Sequence, residues 1–385
     1  MSLTTEQILQ QLISFDTTSR NPNRELISYV TDLLDQHNIN STVIENTDGS
    51  KANLYATIGP PDTAGVMLSG HTDVVPIDGQ QWQYPAFSLS KENDRYYGRG
   101  TADMKGFVAC ALSAAIKASS NTLQTPLHLA LSYDEEIGCV GVHSLLDMLQ
   151  KAPVKPAMCI VGEPTQLQVA TKHKGKTALL ASCIGTEGHS ALAPNYLNAI
   201  HLACDFVAIV RELQNEIAND HEAKDANDIP YSTVHVGRIM TGQALNIVPN
   251  LCTVHFEIRH PLSDSPEDIF STLKQRTEAL VAETQKRFTA ANITFETTNA
   301  YPALDTPVDA EVVRFVQSLL DTDETGFVAF GTEAGLFSQK TGVPSVVCGP
   351  GSMEQGHKPD EYVSISQMRD CERMLERLIA HLITH

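Results

Sequence analysis

The residues in this sequence that could do chemistry are histidines and carboxylates at the ends of short apolar runs. The run Val66-Met67-Leu68-Ser69 leads into Gly70-His71-Thr72-Asp73. Residues i and i+2 of a strand face the same way. His71 can therefore bind a cation while Asp73 accepts a hydrogen bond from its other ring nitrogen, fixing the tautomer. Taken alone, the pair fits equally well a hydrogen-bonded histidine beside a turn aspartate. A glycine-rich stretch, Gly98-Arg99-Gly100-Thr101-Ala102, delivers Asp103 to the start of an apolar helix at about 107–118. By itself Asp103 is simply a carboxylate placed well for a helix dipole. The run Leu127–Tyr133 ends in Asp134-Glu135-Glu136. Three successive acids after a buried strand repel one another unless a cation joins them. The run 157–161 ends in Gly162-Glu163-Pro164, and the run 343–348 leads through Gly349-Pro350-Gly351-Ser352 to His357.

One such coincidence means little, but four apolar strands each followed by a histidine or a carboxylate point to one rim of one sheet. In open α/β sheets ligands bind outside the carboxyl ends of the strands. Two histidines and three acids are nitrogen and oxygen donors, which suit Zn²⁺ or Co²⁺ better than copper(I) or an iron–sulfur cluster. Five ligands exceed the three of a mononuclear catalytic zinc site. The number fits two divalent ions roughly 3.5–4 Å apart that share a carboxylate. Which of Glu135 and Glu136 would bind an ion is left open by their adjacency.

The elements that must position these residues read as an α/β domain, a mixed sheet with flanking helices. Helices are expected at about 5–19 and 24–38, strands at 53–58 and at the runs named above, and a C-terminal helix at 366–383. Between about Thr177 and Tyr301 the texture changes to strand, long helix near 195–217, strands near 232–239 and 251–260, helix near 266–288 and strand 293–298. That βαββαβ order predicts an α+β unit inserted at 178–301 into a domain made of 1–177 and 302–385.

Composition limits the partners. The chain has 385 residues, with 27 Lys and Arg against 46 Asp and Glu, a net charge of −19. Such a balance argues against nucleic acid and against anionic membrane surfaces. The eight cysteines stand singly, with no C-x-x-C pair, as expected of a protein kept in a reducing cytoplasm. The first residues lack the basic and apolar regions of a signal peptide.

The motifs taken together, Gly70–Asp73, Gly98–Gly106, Asp134–Glu136, Gly162–Pro164, Gly188-His189-Ser190 and His357–Glu361, resemble those of the dinuclear zinc aminoacylase and peptidase superfamily, the M20 metallopeptidases. The resemblance covers nearly the whole chain. It implies that Asp103 bridges two ions, that His71 and Glu163 hold one, and that Glu136 and His357 hold the other. It implies Glu135 as the general base and Asp73 as the acid orienting His71. It further implies a homodimer formed by the inserted unit, with His189 presented to the partner's active site, and substrate contacts from Asn246 and Arg259. The segment Gly331-Thr332-Glu333-Ala334, with 349–352 and 355–362, is nearer to the superfamily's deacetylating branch. Desuccinylases and carboxypeptidases carry a Ser-Asp-Gly-Arg type of sequence at 332–335. The implied reaction is release of acetate from N2-acetyl-L-ornithine, a step toward arginine; the substrate's cationic side-chain amine then calls for an anionic partner, for which Glu333 is the candidate, the alternative being an interior acid that supports its loop. The alternatives are another N-acyl amino acid amidase, such as a succinyl-diaminopimelate desuccinylase, or a dipeptidase.

Overall fold

A computed structural model describes residues 3–219 and 229–385 of the chain. The first helix, α1 (Thr5–Ser14), is capped by Thr4, whose side chain accepts from the Gln7 backbone while the Gln7 side chain returns to the Thr4 N–H. This reciprocal cap satisfies two donors that the first turn leaves free. Its buried face, Ile8, Leu9, Leu12 and Ile13, has helical spacing. The helix stops at Ser14, earlier than periodicity predicted, because Phe15 is already extended. Next come α2 (Arg24–Asp35), β1 (Ser41–Glu45), β2 (Ala52–Ile58), β3 (Val66–His71), α3 (Lys105–Ser119), β4 (Leu127–Ser132), α4 (His143–Lys151), β5 (Met158–Pro164) and β6 (Ala170–His173). The middle of the chain contributes β7 (Gly175–Ile184), α5 (Ala199–Asn219), β8 (Thr233–Thr241), β9 (Leu251–His260), α6 (Pro266–Gln285) and β10 (Asn292–Tyr301). The C-terminal part supplies α7 (Glu311–Leu320), β11 (Ser345–Gly349) and α8 (Ile365–Thr384).

The chain divides into two compact units, Met1–His173 with Leu304–His385, and Lys174–Ala303. The first unit is built on a mixed sheet in the order β1-β2-β4-β3-β5-β11-β6. At its centre β4, β3, β5 and β11 run parallel. Strands β3, β4, β5 and β11 are buried along their whole length. That is why they read as unbroken apolar runs rather than as alternations. Helix α3 is buried at all but two of its fifteen positions, because α1, α8 and the sheet all pack against it. Parallel neighbours place their carboxyl ends on one rim, so His71, the 133–136 turn, Glu163 and the loop after Gly349 emerge side by side.

The second unit is a four-stranded antiparallel sheet, β8-β9-β7-β10, with α5 and α6 on it. Its strands alternate, as in β9, where every second residue is buried. One face meets the helices through Phe206, Phe256 and Leu273, and the other is left more exposed. Helix α5 starts four residues later than expected. A short 3₁₀ turn, Ser190–Asn195, precedes it and contains Pro194, which cannot supply a helical N–H.

Candidate metal centre

Strand β3 ends at His71, and the chain turns so that its neighbour Asp73 points back under the site. The His71 Nδ1 lies 3.0 Å from the Asp73 backbone carbonyl and 3.5 Å from its Oδ1. The nearer contact is therefore with the main chain. The Asp73 carboxylate accepts from the Glu135 N–H (3.1 Å), the Glu136 N–H (3.3 Å) and the Ser19 hydroxyl (2.7 Å). Asp73 thus fixes both His71 and the backbone of the acid pair after β4. Sequence spacing had suggested the first role only.

With Nδ1 occupied, His71 aims Nε2 at Asp103, 3.1 Å from its Oδ1, and Nε2 lies 3.7 Å from Glu163 Oε1. The second Asp103 oxygen, Oδ2, lies 3.1 Å from His357 Nε2, which is also 3.1 Å from Glu136 Oε2. Each oxygen of Asp103 therefore serves one histidine, and each histidine has its own glutamate. Wider groupings of donor atoms within 4.8 Å of one another join His71 with Glu135 and Glu163, and His71 with Asp103 and Glu136. All six side chains thus meet at one place in the first unit.

Electrostatics says what this cluster requires. Burial pushes the Glu135 and Glu163 carboxyls well above the ordinary range, and neighbouring acids push them further. Glu136 is raised to about 7 by burial and by Asp103. Burial disfavours a charged His71, but hydrogen bonds to Asp103 and Asp73 outweigh it and raise its pKa. His357 is raised to about 10, first by Asp103 and then by Glu136. The Oε1 atoms of Glu136 and Glu163 are buried and have no hydrogen-bond partner among the described residues. Buried acids that raise one another and keep unpaired oxygens are held at lower free energy by a cation. The donor set of imidazole and carboxylate fits two divalent ions of the zinc or cobalt type.

The backbone of the rim is shaped for this crowding. Gly162 directly precedes Glu163, and a Cβ there would fall on the Phe107 ring of α3. Gly100 adopts φ +89°, which only glycine takes at no cost, and it bends the loop that carries Asp103.

Two residues without an assigned role in the sequence lie under the site. Arg99 and Glu361 form a buried ion pair, Nη1 to Oε2 at 2.6 Å. Both occur in the motifs named above, and for Arg99 the signal is a charged residue between two glycines, Gly98 and Gly100. Cys139 is also buried, its thiol 3.4 Å from Glu135 Oε1. Glu333, 1% exposed, keeps a buried Oε1 without a hydrogen-bond partner among the described residues, and burial raises its pKa to about 7.

The remaining predicted residues lie in the second unit. His189 is exposed on a two-stranded ribbon, opposite Ile247, and its Nδ1 accepts from the Ala191 N–H. The Asn246 carbonyl accepts from the Ser190 N–H at 3.0 Å, so Asn246 and His189 are neighbours. Arg259 is placed apart from them, near the other end of β9, roughly 25 Å along the strand from Leu251. It pairs with Glu257 and donates to the Tyr301 hydroxyl at 2.9 Å.

Comparison with known proteins places this arrangement. Residues 67–381 match the description of peptidase family M20/M25/M40. An acetylornithine deacetylase of Pasteurella multocida (strain Pm70) is 32% identical over 373 residues, covering 96% of this chain and 94% of the relative. Among solved structures, an M20 family metallo-carboxypeptidase from Sulfolobus solfataricus superposes with a TM-score of 0.78 at 20% identity, covering 98% of each chain. A dinuclear metal-binding peptidase of the M20 family from Bacillus subtilis superposes with a TM-score of 0.68 at 14% identity, covering 99% of this chain and 98% of that one. The two structures share the fold, and the sequence matches settle the kinship: this chain is a metallohydrolase of amide bonds and belongs to peptidase family M20/M25/M40.

Proposed function

We propose that this protein removes the acetyl group of N2-acetyl-L-ornithine, giving acetate and L-ornithine in a route to arginine. The observation that carries the metal chemistry is Asp103, whose two oxygens each face one histidine at 3.1 Å. On this reading His71, Asp103 and Glu163 hold one divalent ion, and Asp103, Glu136 and His357 hold a second, Zn²⁺ or Co²⁺. Bound there, the ions lower the pKa of water and polarise the acyl carbonyl. The chain's own residues do the rest. Glu135, beside the ligands yet not among them, takes the proton from the attacking water and gives it to the departing amine as the C–N bond breaks. A buried carboxylate at this position is placed both to accept a proton and to return it. Asp73 holds the Glu135 and Glu136 backbone in place.

Substrate recognition is assigned to Glu333, Asn246, Arg259 and His189. The cationic side chain of ornithine loses solvation on binding and requires an anionic partner. Glu333 is that partner, since its buried Oε1 is unpaired among the described residues. We assign His189 to the developing oxyanion, presented in trans within a homodimer through the second unit. Strand β8 is an edge strand of that unit's sheet, and its Ile239 and Met240 are exposed, as a surface for a second copy would be. We assign the protein to the cytoplasm because its eight cysteines stand singly, a usage that suits a reducing compartment.

The test is a panel of N-acetylornithine, N-succinyl-diaminopimelate and simple dipeptides, assayed with Zn²⁺ or Co²⁺ and again with a chelator. The proposal expects the highest kcat/KM for N-acetylornithine and loss of activity on chelation. A higher kcat/KM for the succinyl substrate or for a dipeptide refutes the deacetylase assignment. Full activity in excess chelator refutes the metal reading as well.

A further inference from the structure

Asp103 and His357 are brought to the centre by two loops that have no regular structure of their own. The Asp103 loop runs from Gly98 to Met104, between a short strand (Arg95–Tyr97) and α3; the His357 loop follows β11. His357 has φ +63° and Asp360 has φ +55°, conformations that a non-glycine residue keeps only when its surroundings hold it. The surroundings are one polar network. Glu361 Oε1 accepts three main-chain N–H groups, from Gly100 (3.1 Å), Ala102 (2.9 Å) and Asp103 itself (3.1 Å). Its other oxygen takes Nη1 of Arg99 at 2.6 Å. Arg99 Nη2 donates to Gln80 Oε1 at 2.8 Å, and Gln80 Nε2 donates to the His357 carbonyl at 2.9 Å. The Arg99 guanidinium also lies over the Trp82 ring, 5.0 Å from its centroid.

We infer that Arg99, Glu361 and Gln80 form a brace that fixes the two ligands of one ion, Asp103 and His357, relative to each other. These are positioning residues. None of their side chains is among the groups that face the cluster. Arg99 and Glu361 are each 1% exposed. A buried ion pair is weak evidence for stability in itself, since desolvation offsets most of the attraction. Here Glu361 is bonded to the main chain of the Asp103 loop and Arg99 reaches the His357 loop through the Lys358 carbonyl at 3.4 Å and through Gln80, since a guanidinium fork has the geometry to reach a carboxylate and an amide at once. Groups behind metal ligands commonly tune affinity by about 10–100-fold, so the brace has an effect large enough to measure.

The inference rests on the two-ion reading given above, and the experiment separates the two. The full chain, stripped with chelator, is titrated with Co²⁺ alone and followed by calorimetry and by the visible spectrum. The same is done for Gln80→Met and Arg99→Lys, with the melting temperature of each stripped protein as a second readout. Gln80 is partly exposed, and its substitution leaves the Arg99–Glu361 contact itself in place. Both variants are expected to bind the ion held by Asp103, Glu136 and His357 about 10–100-fold more weakly, and the ion that shares Asp103 is expected to lose less, because its other ligands, His71 and Glu163, lie outside the brace. The Gln80→Met protein is expected to melt at the unmodified temperature. If both variants bind two Co²⁺ ions with unmodified affinities, the brace is refuted. The same holds if affinity falls only in step with the melting temperature, which would make the network merely structural. If Arg99→Lys does not fold, Gln80→Met decides the matter alone. If the unmodified chain binds fewer than two ions, the two-ion reading fails and the inference falls with it.

Discussion

Replacing Gly162 by alanine should damage the fold and the site together. Gly162 lies in β5, one residue before Glu163, and faces the Phe107 ring of α3. A Cβ built on its backbone would lie 1.9 Å from Phe107 Cγ, where ordinary contact begins at 3.4 Å. The ring must therefore recede by about 1.5 Å, and it is 1% exposed, between the sheet and the other helices. Overpacking of a filled core costs about 1–3 kcal/mol, and this collision is with a stiff ring, so the upper end is expected. For a unit of this size that corresponds to a melting temperature lower by about 6–12 °C. The assay is thermal unfolding of the stripped protein for Gly162→Ala, Phe107→Ala and the double variant. Phe107→Ala alone should be costly, at about 3–5 kcal/mol. The double variant should melt close to Phe107→Ala, because with the ring removed the new methyl group meets no obstacle. Two outcomes would refute this account of Gly162: a single variant melting within about 1 °C of the unmodified protein, or a double variant whose loss equals the two single losses added together.

The other predictions concern chemistry. Glu135→Gln should still bind two Co²⁺ ions while turnover drops by about 10²–10⁴-fold, the usual worth of a general acid–base group; normal turnover would remove Glu135 from that role. Glu333→Gln should reduce the preference for N-acetylornithine over the uncharged N-acetylnorvaline, with a loss on the charged substrate of about 2–5 kcal/mol, as for truncation of one member of a buried charge pair. If kcat/KM falls equally for both substrates, Glu333 supports the loop and the amine is recognised elsewhere.

Much of this protein is legible without coordinates. The central parallel strands declare themselves as apolar runs closed by turn residues, because a strand buried on both faces has no polar side to show. Parallel pairing then forces their carboxyl ends onto one rim, so residues far apart in the chain, from His71 to His357, can be expected at one place. The order of elements in the middle of the chain likewise follows from where period 2 gives way to period 3.6. Helix α7, Glu311–Leu320, lies outside the elements expected from periodicity although its buried Val312, Val313, Val316 and Leu319 have helical spacing, and α1 ends early because Phe15 is already extended.

Tertiary structure alone decided the finer points. Sequence adjacency gives Glu135 and Glu136 no separate surroundings, whereas the fold puts Glu136 Oε2 3.1 Å from His357 Nε2 and Glu135 beside the Cys139 thiol, with donor atoms near His71 and Glu163. The main-chain carbonyl, more than the carboxylate, meets His71 Nδ1, because the turn after β3 sets that distance and residue type does not. The network of Gln80, Arg99 and Glu361 joins three segments of which the last is over 250 residues from the others. Hydrogen bonds between segments that distant depend on how loops are folded back, and no local pattern of polarity encodes them. What the sequence by itself determined is which donor atoms the ends of the buried strands carry, imidazole nitrogens and carboxylate oxygens. The fold determined which atom faces which, because a hydrogen bond or a coordination bond is made or lost over a few tenths of an ångström, and only packing fixes positions that finely.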